Sequence, residues 1–360
     1  NKDNYTDLLT LGRLGTAGIS HMYINDGTGK LLKSSTPPFD IPSTLHALSV
    51  GDYNSDGYDD IAIAHLNGSE MRTNIYSNIY GTTSSNEFSL HQELQGATYA
   101  SLDWGDYDND GDLDLVTSGY TGSVVTDEGQ TEYNNPITNI YQQNELGEFI
   151  LDSSLYMLDS VGLSSTQWGD YDNDGDLDLL LTGETEEKEL ITRVYENLES
   201  FTNSNSSPVK PTMLYSDVNI DSVRISWQGG FDTDNQSASG RTMEQAIKYQ
   251  LQMGEDQNYS LGGNVHSIIS GKYATGKMGL RSGRNHTINN IPEGRYQWRV
   301  KSIDHGLRSS EWSDWDYFYI DQTPPAVDTV QVNYSVGGQI IIIVNFEEKF
   351  EMNNSLDAEP

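Results

Sequence analysis

An eleven-residue string, GDYDNDGDLDL, stands at residues 105–115 and again, unchanged, at residues 169–179. A looser copy, GDYNSDGYDDI, occupies residues 51–61, and the chain opens on the tail of a fourth copy that ends at Asp7 and Leu8. Marked by the last aspartate of each copy, at positions 7, 60, 114 and 178, the separations are 53, 54 and 64 residues. A chain that repeats at such a period folds as an array of like units, each burying its apolar face only against a neighbour.

The loop chemistry comes from the spacing. Carboxylates at loop positions one, three and five, a glycine at six to turn the chain and an aspartate at nine can close around one hard cation. Calcium, which takes about six to eight oxygens in flexible geometry, suits such a loop better than magnesium. The expected side-chain ligands of the middle full copy are Asp106, Asp108, Asp110 and Asp114, with the Asp112 carbonyl as a fifth. The last copy repeats the set as Asp170, Asp172, Asp174 and Asp178 with the Asp176 carbonyl. The first full copy offers Asp52, Asn54, Asp56 and Asp60 with the Tyr58 carbonyl, and its lower charge predicts weaker binding. Empty, such a loop is strained by carboxylate repulsion, so it is expected to be disordered without metal and rigid with it. The ion is thus expected to be structural rather than catalytic.

An EF-hand opens the same way but needs a glutamate at position twelve and flanking helices. Position twelve here is Ile63, Thr117 or Leu181. Each loop leads into a short apolar run ended by turn residues, which predicts a buried strand. The ion site is therefore expected in a strand-to-strand loop.

The rest of the unit repeats too. A strand bearing tyrosine and asparagine recurs around Tyr23, Tyr76, Tyr141 and Tyr195, and Trp104 and Trp168 lead back into the loops. These aromatic side chains are expected in the core. The D-Y-D-N-D-G-D-L-D-L motif, the W-G-D lead-in and the Y-x-N-x-x-G-x-F strand pair resemble the FG-GAP or VCBS repeat family, whose blades also build integrin α-subunit propellers. The resemblance covers residues 1 to about 200. It implies an all-β chain carrying a partial β-propeller, calcium in hairpin loops on one face, and extracellular adhesion or ligand binding. Seven such blades need about 400 residues, so further blades are expected upstream. The segment 120–136 is the longest hairpin tip, a place where binding commonly resides.

Residues 201–211 form a polar, proline-containing linker. Beyond it, alternating strands such as residues 222–227, 247–253 and 294–304 predict a β-sandwich. The V-x-I-x-W strand, the approach to Tyr296 as a tyrosine corner and Ser310-Glu311-Trp312-Ser313 resemble a fibronectin type III domain over residues 212–322. The stretch before Tyr296 is one residue short of the usual pattern, and residues 229–246 make a longer insertion than expected. A GKYATGK string at 271–277 imitates a phosphate loop, but Met278 stands where Ser or Thr must hold magnesium, so it is rejected. Residues 326–360 read as the opening of a further β domain, with an apolar strand at 339–344 that would be an aggregation hazard if unpaired.

Charge and composition narrow the partners. With 20 Lys and Arg against 54 Asp and Glu, a formal net charge of −34 excludes nucleic acid and anionic membrane surfaces. No run reaches the ~18 apolar residues of a membrane span. Cysteine is absent, so calcium loops take the role of staples, and sites of this kind suit the calcium outside cells. No motif for a nucleophile or a metalloprotease occurs, and the seven histidines are scattered. The expected function is a secreted or cell-surface, non-catalytic, calcium-binding protein, of bacterial type, that engages a protein or glycan ligand on a cell or matrix. The alternative is a set of accessory modules of a secreted hydrolase or polysaccharide lyase.

Overall fold

The structure is a computed structural model that describes residues 7–14, 17–26, 30–34, 44–67, 70–80, 88–126, 129–155, 157–172, 174, 176–198, 206–232, 247–255, 281–323, 326–334 and 340–347. The chain is all-β, as expected. Its first part is four antiparallel sheets, each a meander in chain order. The first holds β1 (Leu8–Leu14), β2 (Ala17–Asn25) and β3 (Leu31–Lys33). The second holds β4 (Thr44–Gly51), β5 (Asp60–Asn67), β6 (Glu70–Asn78) and β7 (Phe88–Gln95). The third holds β8 (Thr98–Gly105), β9 (Asp114–Val125), β10 (Thr131–Gln143) and β11 (Phe149–Leu151), and the fourth β12 (Gly162–Gly169), β13 (Asp178–Glu184) and β14 (Leu190–Tyr195). Every full acidic loop joins the first strand of a sheet to the second, in the strand-to-strand position expected of it.

The sheets stack face to face along the chain, with β4 against β8 and β8 against β12. The repeat supplies the joint. Gly51 lies beneath Trp104 and Leu113 of the next sheet, and a Cβ at Gly51 would come within 2.8 Å of the indole. Gly105 lies in the same way beneath Trp168 and Leu177. The loop tyrosine then stacks on that indole: Tyr53 on Trp104 with ring centroids 6.1 Å apart, Tyr107 on Trp168 at 5.8 Å. Trp104 and Trp168 are core residues, as are Tyr76 and Tyr141, while Tyr23 and Tyr195 are only half-buried. Hydrogen bonds tie the outer strands, because the Gln92 side chain donates to the Phe149 carbonyl at 2.9 Å and accepts from its N–H at 2.8 Å.

The fourth sheet ends the stack among the described residues. Gly169 has none of their atoms within 4 Å of the position of a Cβ, and Tyr171 is 59% exposed where Tyr107 is 8%. The run after the third loop, expected to be buried throughout, is not: Leu179 and Leu181 are buried but Leu180 faces out, because no further sheet among the described residues covers that side. The segment 120–136 also departs from a simple loop tip. It is mostly ladder, with β9 and β10 paired as far as Val125 and Thr131, and Tyr133 packs edge-on against Tyr99 at 4.7 Å.

The sandwich expected after the linker is present. One sheet is β15 (Pro211–Val218), β16 (Ser222–Gly229) and β19 (Asn285–Asn289); the other is β18 (Arg281–Ser282), β17 (Lys248–Glu255), β20 (Gly294–Ile303) and β21 (Asp316–Ile320). Alternation fills the space between them with Val223, Ile225, Trp227, Tyr249, Leu251, Met253, Tyr296, Trp298, Val300 and Phe318. The tyrosine corner forms: the Tyr296 hydroxyl donates to the Pro292 carbonyl at 3.0 Å. Outside, the Arg299 guanidinium lies 4.6 Å from the Trp312 ring and 4.4 Å from the Trp315 ring. The last apolar strand is not left unpaired, since β22 (Ala326–Tyr334) and β23 (Ile340–Glu347) form a hairpin. The insertion at 233–246 and the phosphate-loop-like string at 271–277 lie outside the described residues.

Candidate metal centre

Each loop is shaped by its own carboxylates before any ion enters. In the second full loop the backbone N–H groups of Asp110 and Gly111 both donate to the Asp106 carboxylate at 3.0 Å, and the Asp112 N–H donates to Asp110 at 3.1 Å. The first loop repeats this, with the N–H groups of Asp56 and Gly57 on Asp52 at 3.0 and 2.8 Å and the Tyr58 N–H on Asp56 at 2.8 Å. The turn needs left-handed backbone at two places, Ser55 or Asn109 (φ 55° and 56°) and Gly57 or Gly111 (φ 85° and 97°). Asn tolerates such a φ and Gly takes it without a steric cost, which explains the N-D-G of the motif.

The last aspartate of each copy does more than its place in the motif suggests. Its Oδ1 accepts the backbone N–H of the residue two past the repeating tyrosine: Asn25 to Asp7 at 2.9 Å, Asn78 to Asp60 at 2.7 Å, Gln143 to Asp114 at 2.9 Å and Asn197 to Asp178 at 2.9 Å. In the last two full copies its Oδ2 also accepts the loop's own tyrosine N–H, from Tyr107 at 3.2 Å and Tyr171 at 2.8 Å. The side chain at the bracing position reaches back to the preceding sheet, where Gln143 donates to the Tyr53 carbonyl at 3.3 Å and Asn197 to the Tyr107 carbonyl at 2.8 Å. The asparagine of the Y-x-N pattern is the available signal for this strap. Its partner can be named only once the sheets are stacked.

Three carboxylates of the second full loop, Asp106, Asp108 and Asp114, are buried with ligand atoms within 4.8 Å of one another. In the third, Asp170, Asp172 and Asp174 meet the same distance, but Asp172 and Asp174 are exposed. Asp110 and Asp178 stand outside these clusters, and the first loop forms no such cluster of three acidic groups among the described residues. Burial and the neighbouring aspartates push Asp106 and Asp114 well above the ordinary carboxylate range. Burial likewise raises Asp52 to about 7, against the pull of the Lys248 ammonium, and Asp60 to about 8. Oδ1 of Asp112, Oδ2 of Asp60 and Oδ1 of Asp176 are buried without a hydrogen-bond partner. Acceptor-only oxygens gathered this way, several of them left over after the backbone N–H groups are satisfied, fit a hard cation. The residues that would hold it in the second loop are Asp106, Asp108 and Asp114, with the unpartnered Oδ1 of Asp112 beside them.

The sandwich also reaches these loops, a contact with no sign in the sequence. Lys248 donates to Asp59 of the first loop at 2.6 Å. His305, one of the scattered histidines, is buried with its Nδ1–H donating to the Gly111 carbonyl at 3.2 Å. Beside the third loop a cleft of about 690 Å³ separates the exposed face of the fourth sheet from the sandwich, bordered by Gln167, Tyr171, Gln250, Lys301 and Arg308.

Comparison with known proteins agrees with the repeat. Residues 1–63 match the FG-GAP-like repeat family. No curated protein matches the chain. Among solved structures the chain is similar, at 12% identity and a TM-score of 0.26, to the extracellular domain of a putative hybrid two-component system from B. thetaiotaomicron; the alignment covers 85% of this chain and 37% of that one. No helix among the described residues is long and apolar enough to cross a membrane.

Proposed function

We propose that this chain is a calcium-stiffened binding scaffold from outside the cell: an arc of propeller blades and a fibronectin type III-like sandwich that together present a surface to a protein or glycan ligand, without catalysis. The observation that carries this reading is the buried Asp106, Asp108 and Asp114 cluster, with the unpartnered Asp112 oxygen at its side. Carboxylates are not kept this close in a dry site unless a cation or protons neutralise them. The repeat match at residues 1–63 and the absence of cysteine support a setting where calcium is abundant and disulfides are replaced as staples. The cleft beside the third loop, with the exposed Tyr171 ring and the amides of Gln167 and Gln250, has the mixture of aromatic and polar groups that sugar or peptide recognition uses.

Calorimetric titration of the EGTA-stripped chain with Ca2+ and then Mg2+ tests the metal. Saturable Ca2+ binding with a raised melting temperature is expected, and Mg2+ should bind far more weakly. An unchanged melting temperature in Ca2+ and EGTA would overturn the assignment. Glycan and matrix-protein arrays probed with the calcium-loaded chain test the ligand; no retention on either would leave the scaffold without the proposed role.

A further inference from the structure

On the face of the sheet stack that carries the acidic loops, the sandwich meets the first two full loops, while the third stays exposed at Tyr171, Asp172 and Asp174. The sandwich's turn after β20, residues 304–308, meets the second full loop, and Lys248 at the start of β17 meets the first. At the turn, Leu307 packs into the same apolar cluster as Tyr107, Trp168 and Leu177, which belongs to the third and fourth sheets. Leu307 holds φ at +60°, a conformation that leucine adopts at a cost of about 1 kcal/mol or more. The hairpin turn itself sets that φ, through the Asp304 N–H on the Arg308 carbonyl at 3.1 Å and the Leu307 N–H on the Asp304 carbonyl at 3.2 Å, and it thereby presents the leucine side chain to the sheet stack.

The same turn brings a carboxylate of the sandwich toward the acidic groups of the second full loop. Asp304 is buried, and its carboxylate is directed by the Arg308 N–H at 2.8 Å within its own turn. It is one of the negative groups that act on Asp106, along with Asp108, Asp110 and Asp112. A further buried carboxylate brought to four others across an interface repels them unless positive charge lies between. At the first loop, where one aspartate of the motif is replaced by Asn54, the sandwich supplies the opposite charge through Lys248. The less acidic loop thus receives a cation from the sandwich, whereas the more acidic one receives an anion.

We propose that seating of the sandwich on the loop face is linked to metal in the second full loop: the loaded loop holds the turn at Asp304, His305 and Leu307, and the stripped loop releases it, leaving the sandwich tethered by the linker. The inference rests on the calcium reading above. Linkage makes it reciprocal, so that losing the seat must weaken metal binding by the factor by which losing the metal weakens the seat.

The absence of cysteine allows a direct test on the full chain. Spin labels at Leu146→Cys and Ile220→Cys, positions 80% and 69% exposed, report the distance between the third sheet and the sandwich. One narrow distance population is expected in Ca2+ and a broad one in EGTA. Leu307→Gly, which removes the contact and relieves the strained φ without touching the sandwich core, should give the broad population in both conditions and lower calcium affinity at the second loop by about fivefold or more. Asp304→Asn should recover a narrow population in EGTA. Calorimetry on the same labelled chain separates the two claims. Binding of Ca2+ with an unchanged distance distribution would overturn the linkage alone, and no binding would overturn both the linkage and the calcium reading.

Discussion

Gly105 and Gly169 occupy the same place in identical eleven-residue strings, yet replacing each with alanine should have opposite results. A Cβ at Gly105 would lie 2.7 and 2.8 Å from Cδ1 and Cγ of Trp168 and 2.9 Å from Cδ1 of Leu177. Carbon atoms rest at about 3.5–4.0 Å, so the fourth sheet would have to back away by roughly 0.7–1 Å. Neither neighbour can swing aside, because Leu177 is fully buried and Trp168 is sandwiched under Tyr107 with rings 12° from parallel. Overpacking of this kind costs about 1–3 kcal/mol, and two immobile neighbours place Gly105→Ala in the upper half of that range. Gly169→Ala meets nothing within 4 Å among the described residues and has no positive φ to lose. Its unfolded chain loses freedom, which should stabilise it by about 0.4–1 kcal/mol. Urea unfolding in saturating Ca2+, followed by tryptophan fluorescence, reads the difference. With a slope on the order of 2 kcal/mol per molar, the two midpoints should separate by about 1 M or more. If Gly169→Ala destabilises as much as Gly105→Ala, the glycine is needed by the loop itself, and the account of how successive sheets dock is wrong.

Other consequences are equally open to measurement. Asp114→Ala orphans the buried N–H groups of Gln143 and Tyr107 and should cost on the order of 2–4 kcal/mol even in EGTA, whereas Asp108→Ala should cost little in EGTA and show its effect only with Ca2+; equal losses in EGTA would refute the bracing role. In EGTA, stability should fall as pH rises from about 4 to about 8. Burial holds Asp52 near 7 and Asp60 near 8 in the folded chain, so the folded state binds protons that the unfolded state has already released. In Ca2+ the trend should reverse over the same window, because protons and metal compete for these oxygens; parallel slopes in the two buffers would contradict the shared site. Tyr296→Phe removes the hydroxyl that donates to the Pro292 carbonyl and should lower sandwich stability by about 0.5–1.5 kcal/mol in chemical unfolding, with no change in calcium titration.

The parts of the fold that are legible in the sequence are those governed by short-range rules. Aspartate spacing and the glycine at loop position six fix a turn and its acceptor oxygens within a few residues. Alternation in β16, β17 and β20 fixes which side chains of the sandwich face inward. The hidden parts depend on partners far along the chain. Leu180 reads as core and is exposed, because the strand pattern cannot tell whether another sheet covers it. The ladder over 120–125 and 131–136 reads as a loop because Thr, Gly, Ser and Asn there serve turns as readily as strands. Lys248, Asp304 and His305 lie on or just after ordinary alternating strands, and nothing in an alternating pattern says that its outward positions will meet an acidic loop from another part of the chain.

The two identical strings also show how the motif works. Asp106 and Tyr107 are 3% and 8% exposed, while the matching Tyr171 is 59% exposed. Local sequence is the same, so the difference belongs wholly to the neighbour. The tyrosine next to the first ligand position is the residue on which the next sheet's tryptophan stacks, and the aspartate at the ninth position holds the strand that straps back to the sheet before. One short loop therefore carries the oxygen acceptors, a docking platform for the sheet ahead and an anchor to the sheet behind. A cation that fixes such a loop stiffens two interfaces as well as one turn. On the proposed calcium reading the stiffness accumulates along the array, which would let a chain without disulfides carry so much repelling charge in its loops and still stack them in order.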